Sequence, residues 1–133
     1  MPITVTRDDA KRRFTAVGAG VLTSRDITGF MAEHRVGVYR RYALLFDIRG
    51  ADITLSAADV RAFAEMRDPL RATQGDRGPV AIVATEPSVY GLARMYESLV
   101  ELRRLQIFRA FQSIDEAVAW LDLWFPIETS STT

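Results

Sequence analysis

The chain has no cysteine, one histidine and one lysine among its 133 residues. Without cysteine there is no disulfide, no thiolate nucleophile and no cysteine-ligated zinc or iron–sulfur centre, so the fold rests on packing alone. A single imidazole, His34, leaves little room for a Ser–His–Asp triad, and no Gly-x-Ser-x-Gly elbow accompanies it. His34 falls on the apolar face of a helix near its C-terminus, where a half-buried or capping histidine is expected. Asp8 and Asp9 are adjacent in a turn, and no helix sets a second ligand four residues from His34, so no metal site is expected. Nor is a cofactor: Gly75–Ile82 contains two glycines but no following Lys-Ser/Thr, and reads as a plain turn. No residue qualifies as catalytic, and the expectation is that the protein is not an enzyme.

Long hydrophobic runs are also missing. The longest charge-free stretch, Phe14 to Ser24, is about half of the ~20 apolar residues a membrane helix needs, which argues against a span. The opening Met-Pro-Ile-Thr-Val-Thr-Arg-Asp-Asp lacks the basic-then-apolar profile of a secretory signal, so a cytoplasmic location is expected. An excess of either charge is absent as well: 17 basic residues, 16 of them arginine, balance 17 acidic ones. That balance excludes bulk attraction to nucleic acid or an anionic membrane. Lys11-Arg12-Arg13 and Arg40-Arg41 each precede a strand with acids nearby and read as solvated edges.

What is present suits one folded domain. Hydrophobic residues make up 48% and charged residues 26%, ordinary globular usage at a length that supports a single core. Ile3–Thr6 and Phe14–Val17 read as an antiparallel hairpin that Gly18 and Gly20 end. Thr23-Ser24-Arg25-Asp26 is a capping pattern that starts a helix over 24–34, ending near Gly37. Tyr42–Phe46 is a continuous apolar run closed by Asp47, the profile of a central strand covered on both faces. Ser56-Ala57-Ala58-Asp59 opens a second helix that reaches the neighbourhood of Pro69. Val80–Ala84 is another buried-type strand, followed by a helix over 88–102 with Pro87 at its first turn. Leu105–Phe108 is the next strand, and Ser113-Ile114-Asp115-Glu116 caps a final helix that Pro126 ends.

Three strand–helix units with short connections require parallel strands. The expected fold is therefore α/β: a mixed sheet of about five strands, an N-terminal antiparallel hairpin followed by parallel strands, with about four helices packed on it. One domain covers 1–125, and 126–133 reads as a disordered tail because it has nothing apolar to bury.

Ligands usually meet a parallel sheet at the C-terminal ends of its strands. That rim would carry Asp47 with Arg49, then Thr85, beside Ser56 at the start of the second helix. The Ser56 hydroxyl caps that helix; a phosphate there would be tolerated by the helix N-terminus while changing the surface a partner meets. The last helix is apolar almost all round, with Trp120, Leu123 and Trp124, so a second copy of the chain is a candidate to cover part of it in a homodimer.

Three segments carry a family likeness: Leu45-Phe46-Asp47-Ile48-Arg49-Gly50, Tyr90-Gly91-Leu92-Ala93-Arg94-Met95-Tyr96-Glu97, and Phe108 with Asp115-Glu116-Ala117-Val118-Ala119-Trp120-Leu121. With the order of elements, they resemble the SpoIIAA-like group of STAS domains. The resemblance implies a STAS-like fold in a small, non-enzymatic regulatory module of mostly bacterial, cytoplasmic proteins that binds a protein partner. It also implies a serine switch after the central strand. The matching position is Ser56, within Leu55-Ser56-Ala57-Ala58 where the switch proteins usually show an Asp-Ser-x-Gly-like stretch. The group is also linked by fold to CRAL-TRIO lipid-binding domains. That link implies a second function, a pocket for a lipid or a small apolar or anionic ligand between the sheet and the helices carrying Phe63, Met66, Tyr90 and Tyr96.

Overall fold

The computed structural model describes residues 2–74, 77–102 and 107–131, of which 67–74 and 125–131 as backbone only. Strands β1 (Ile3–Asp8) and β2 (Arg13–Leu22) form the hairpin, and α1 (Ser24–His34) with a short 3-10 turn (Gly37–Arg41) leads to β3 (Ala43–Ile53). Then come α2 (Ala57–Gln74), β4 (Val80–Val83), α3 (Pro87–Leu102), β5 (Phe108–Phe111) and α4 (Ile114–Ser131). The strands lie in chain order across one sheet, with β1 antiparallel to β2 and every later pair parallel. The mixed five-strand sheet with four helices is as the sequence implies, with β3 in the middle.

Strand alternation assigns the two faces. Leu44, Phe46 and Ile48 point into a core shared with Phe14, Ala16 and Phe30, and α3 adds Val89 and Tyr90 to it. Leu45, Ala81, Val83 and Phe111 point the other way, onto Ala117 and Leu121 of α4. Thus α1 and α3 cover one face, α2 packs on α3, and α4 covers part of the other. Arg13 ties α4 to the sheet, its Nη2 lying 2.7 Å from the Asp122 carboxylate.

Boundaries differ from the sequence reading in five places. Gly18 and Gly20 do not end β2, because Gly18 lies in the core against Leu22, Ala51 and Ile48 with no room to spare for a side chain. Asp47 does not end β3, which runs on to Ile53 because β2 offers it a parallel partner for that whole length. Pro69 lies inside α2 and Pro126 inside α4, since a proline forfeits one hydrogen bond and crowds the preceding turn without forbidding helix beyond it. The last strand runs on past Phe108 to Phe111, set by pairing of Val80 with Phe108 and Val83 with Phe111; residues 105 and 106 of the expected Leu105–Phe108 lie outside the described residues.

The register of β3 against β2 slips once: Val17 pairs with Asp47 but Ala19 with Gly50, so β3 carries one extra residue. This bulge reverses the alternation of β3. Before it Leu44, Phe46 and Ile48 face α1 and α3; after it Ala51 and Ile53 do. The far end of the sheet thereby keeps an apolar surface toward the helices.

Candidate functional site

Between the sheet and helices α1, α2 and α3 lies a cavity of about 280 Å³. Its floor is Phe46 and Ile48 of β3 with Val80 and Ile82 of β4, and its walls include Met31 of α1, Phe63 and Met66 of α2, and Tyr96 of α3. Ile82 sits in an interior strand yet is only half-buried, because it faces this space instead of a packed helix. Protein interiors are close-packed, so an apolar void of this size is a distinctive feature. It approaches the ~300 Å³ at which small-molecule pockets begin.

The cavity follows from how the helices stand on the sheet. α2 packs directly on α3, whereas among the described residues α1 makes no comparable contact with α2. Val36, just beyond α1, and Met66 of α2 both line the space and are 49% and 42% exposed. Tyr96 is braced edge-on by Phe108, with ring centres 4.7 Å apart.

Two arginines interrupt the apolar lining. Arg35, the residue after α1, is 1% exposed and continues the Ile27–Met31 stripe of that helix into the cavity wall. Its Nη1 donates to the Tyr42 carbonyl at 3.1 Å and its Nη2 to the Gly78 carbonyl at 3.2 Å. Arg77, just before β4, lines the same end. Gly78 is required there: a Cβ would collide with the carbonyls of Arg41 and Tyr42, so only glycine lets the start of β4 approach the start of β3.

Of the residues singled out for a ligand pocket, Phe63, Met66 and Tyr96 line the cavity together. Tyr90 does not; it packs against the core cluster of Phe14, Phe30 and Phe46. Arg35 and Arg77 escaped the sequence reading. The available signal was a charged residue four positions beyond Met31, continuing an apolar helical stripe.

The strand-end rim is less unified. Asp47 and Arg49 form a two-point ion pair, with Nε and Nη2 of Arg49 at 2.9 and 2.8 Å from the two carboxylate oxygens. The Arg49 hydrogen bonds are the main reason the Asp47 carboxyl is held below the usual carboxylate range, against the opposing effect of burial. This pair lies on the α4 face, whereas Ser56 opens α2 on the opposite layer. Among the described residues no hydrogen bond or ion pair joins Asp47 or Arg49 to Ser56 or Thr85. Ser56 is exposed and engaged in a capping box. Its Oγ accepts from the Asp59 N–H at 3.2 Å and donates to the Asp59 carboxylate, which also accepts from the Ser56 N–H at 2.9 Å. Thr85 is exposed beyond β4.

On α4, Trp120 packs against Phe111 and meets Trp124 edge-on, while Leu123 is 65% exposed. His34 is half-buried beside the rings of Phe30 and Phe14, 5.2 and 6.2 Å between centres. Among the described residues no three metal-ligating side chains come together, and no helix is long and apolar enough to cross a membrane.

No family model and no curated protein sequence matches the chain. Among solved structures it is similar to an uncharacterised protein of the DUF3478 family from Shewanella loihica PV-4, described as having a SpoIIAA-like fold. The two share 20% identity over 90% of this chain and 91% of the other, with a TM-score of 0.55. The strand order, the single antiparallel hairpin and this likeness agree that the chain has a SpoIIAA-like fold.

Proposed function

We propose that this domain is a non-catalytic binding module whose working site is the cavity between the sheet and α1–α3, and that it takes a small, largely apolar molecule. The observation that carries the reading is the cavity itself: about 280 Å³ bounded mostly by aliphatic and aromatic side chains. Burying an apolar ligand there would recover about 25 cal/mol for each Å² taken out of water.

Native mass spectrometry of the purified protein, joined to thermal melts across a panel of alkyl and aromatic compounds, tests it. A bound mass or a ligand-dependent rise in Tm is expected. At about 100 times Kd the stabilisation is about 2.7 kcal/mol, or roughly 10 °C for a chain of this size. Ala93 lines the cavity from α3, so Ala93→Phe should abolish the shift while the circular dichroism spectrum is retained. The absence of any bound mass and any shift across the panel refutes the proposal.

A second reading, a regulatory module that binds a protein partner, is favoured by the exposure of Ser56 at the start of α2. Phosphorylation there would bring a dianion against Asp59 and reorganise the capping box. Capture experiments with wild-type and Ser56→Asp protein test this reading. Recovery of one partner whose affinity differs between the two forms is expected; no partner with either form counts against it.

A further inference from the structure

The cavity is lined by rings and thioethers as well as aliphatic side chains, and its charges are already committed to the fold. Among the described residues, the charged side chains of the lining are Arg35 and Arg77. The terminal nitrogens of Arg35 donate to the Tyr42 and Gly78 carbonyls, and Arg77 is likewise partnered within the chain. The Thr28 hydroxyl donates to the Arg25 carbonyl at 3.2 Å. An ionised ligand would therefore lose its water without gaining a charged partner. Phe46, Phe63, Tyr96 and Phe108, with Met31 and Met66, give the wall its remaining chemical character. From this lining we propose that the ligand is a neutral, planar aromatic molecule the size of two fused rings.

Three features support that class. Size is the first: an apolar cavity of about 150 Å³ takes one benzene ring, and this one, at about 280 Å³, is nearly twice as large. Wall chemistry is the second. Tyr96 and Phe108 stand edge to face with ring centres 4.7 Å apart, an arrangement that a ligand ring extends, and the thioethers of Met31 and Met66 favour ring edges. The third is the floor. Phe46 and Ile82 are partners in the β3–β4 register, so their side chains stand side by side on the sheet and offer a level surface to a flat molecule. A rigid ring system also loses less freedom on binding than an alkyl chain of equal area.

The inference rests on the ligand-binding reading above, and the probes separate the two. Calorimetric titrations use 2-naphthol, decahydro-2-naphthol and 2-naphthoate. The first two share a carbon skeleton and a hydroxyl and differ in aromaticity; the third keeps the rings and carries a negative charge. 2-Naphthol is expected to bind about ten-fold more tightly than either of the others. Ala93→Phe, which fills the cavity, should abolish that binding. Phe63→Leu keeps the wall apolar but removes a ring, and should narrow the preference for 2-naphthol over decahydro-2-naphthol to about three-fold, with folding checked by circular dichroism. Decahydro-2-naphthol binding as tightly as 2-naphthol overturns the aromatic assignment, 2-naphthoate binding as tightly overturns the neutral one, and the cavity reading survives either result. Retention of 2-naphthol binding by Ala93→Phe places the compound outside the cavity and overturns the inference. No binding by any of the three also overturns it, whereas the cavity reading falls only if the wider alkyl and aromatic panel fails as well.

Discussion

The guanidinium of Arg35 donates to the carbonyl of Gly78 at 3.2 Å, across 43 positions of sequence. That bond, with its neighbour to Tyr42, pins the end of α1 to the starts of β3 and β4 and sets one end of the cavity. Arg35→Met removes both donors and leaves two carbonyls short of a partner in a buried place. At about 1–3 kcal/mol for each orphaned group, a loss of about 2 kcal/mol or more is expected in urea unfolding.

Gly78→Ala should be as damaging for a steric reason. The new Cβ meets backbone carbonyls of Arg41 and Tyr42, which cannot swing aside as a side chain would. A loss of about 1–3 kcal/mol is expected, typical of overpacking. Gly29→Ala is the contrasting control: Gly29 lies within α1 with open space around its missing Cβ, so alanine should stabilise by about 0.5–1 kcal/mol. Thermal melts of the two variants should move in opposite directions.

Ser56→Ala removes the side chain that caps α2 and should cost about 1 kcal/mol. Ser56→Asp offers a carboxylate to the same N–H, yet sets it beside the Asp59 carboxylate that now accepts from Ser56. Its stability should therefore fall between those of wild type and Ser56→Ala at low salt, and approach wild type as salt screens the repulsion. Urea midpoints at two ionic strengths check both statements.

The Asp47–Arg49 pair predicts a dependence on acid. Because Arg49 holds the folded Asp47 carboxyl below its ordinary range, the pair stabilises fully above the unfolded value of about 3.9 and the effect is lost as pH falls through the folded value. Asp47→Asn should consequently lower the urea midpoint near neutral pH and converge with wild type as the pH falls through the folded value of the Asp47 carboxyl. Arg49 is largely solvated, so the difference at neutral pH should stay below about 1 kcal/mol.

Much of the fold was legible in local pattern. The apolar run at Leu44–Phe46 marks the central strand because such a strand is covered on both faces, and Thr23/Asp26 and Ser56/Asp59 mark helix starts that form the expected reciprocal bonds. Of the four residues that the family resemblance named for a ligand pocket, Phe63, Met66 and Tyr96 line the cavity, whereas Tyr90 packs against the core cluster. The ends of β3 and β5 were misplaced because a strand stops where its neighbours stop pairing, and Ile53 and Phe111 gain their partners from residues far away in sequence.

The absences noted in the sequence determine that no thiol chemistry occurs here and that the fold stands without disulfides. Its periodicities determine the order of elements and, strand by strand up to the bulge at Asp47–Gly50, which side chains share a face. The cavity, its two-arginine end and the bulge were decided only in three dimensions. Periodicity records which side of an element is apolar, but a void depends on how closely three helices approach one sheet. Arg35 shows the difference: the sequence contains 16 arginines of one composition class, and only the approach of Tyr42 and Gly78 to the end of α1 turns this one into a buried, oriented cation.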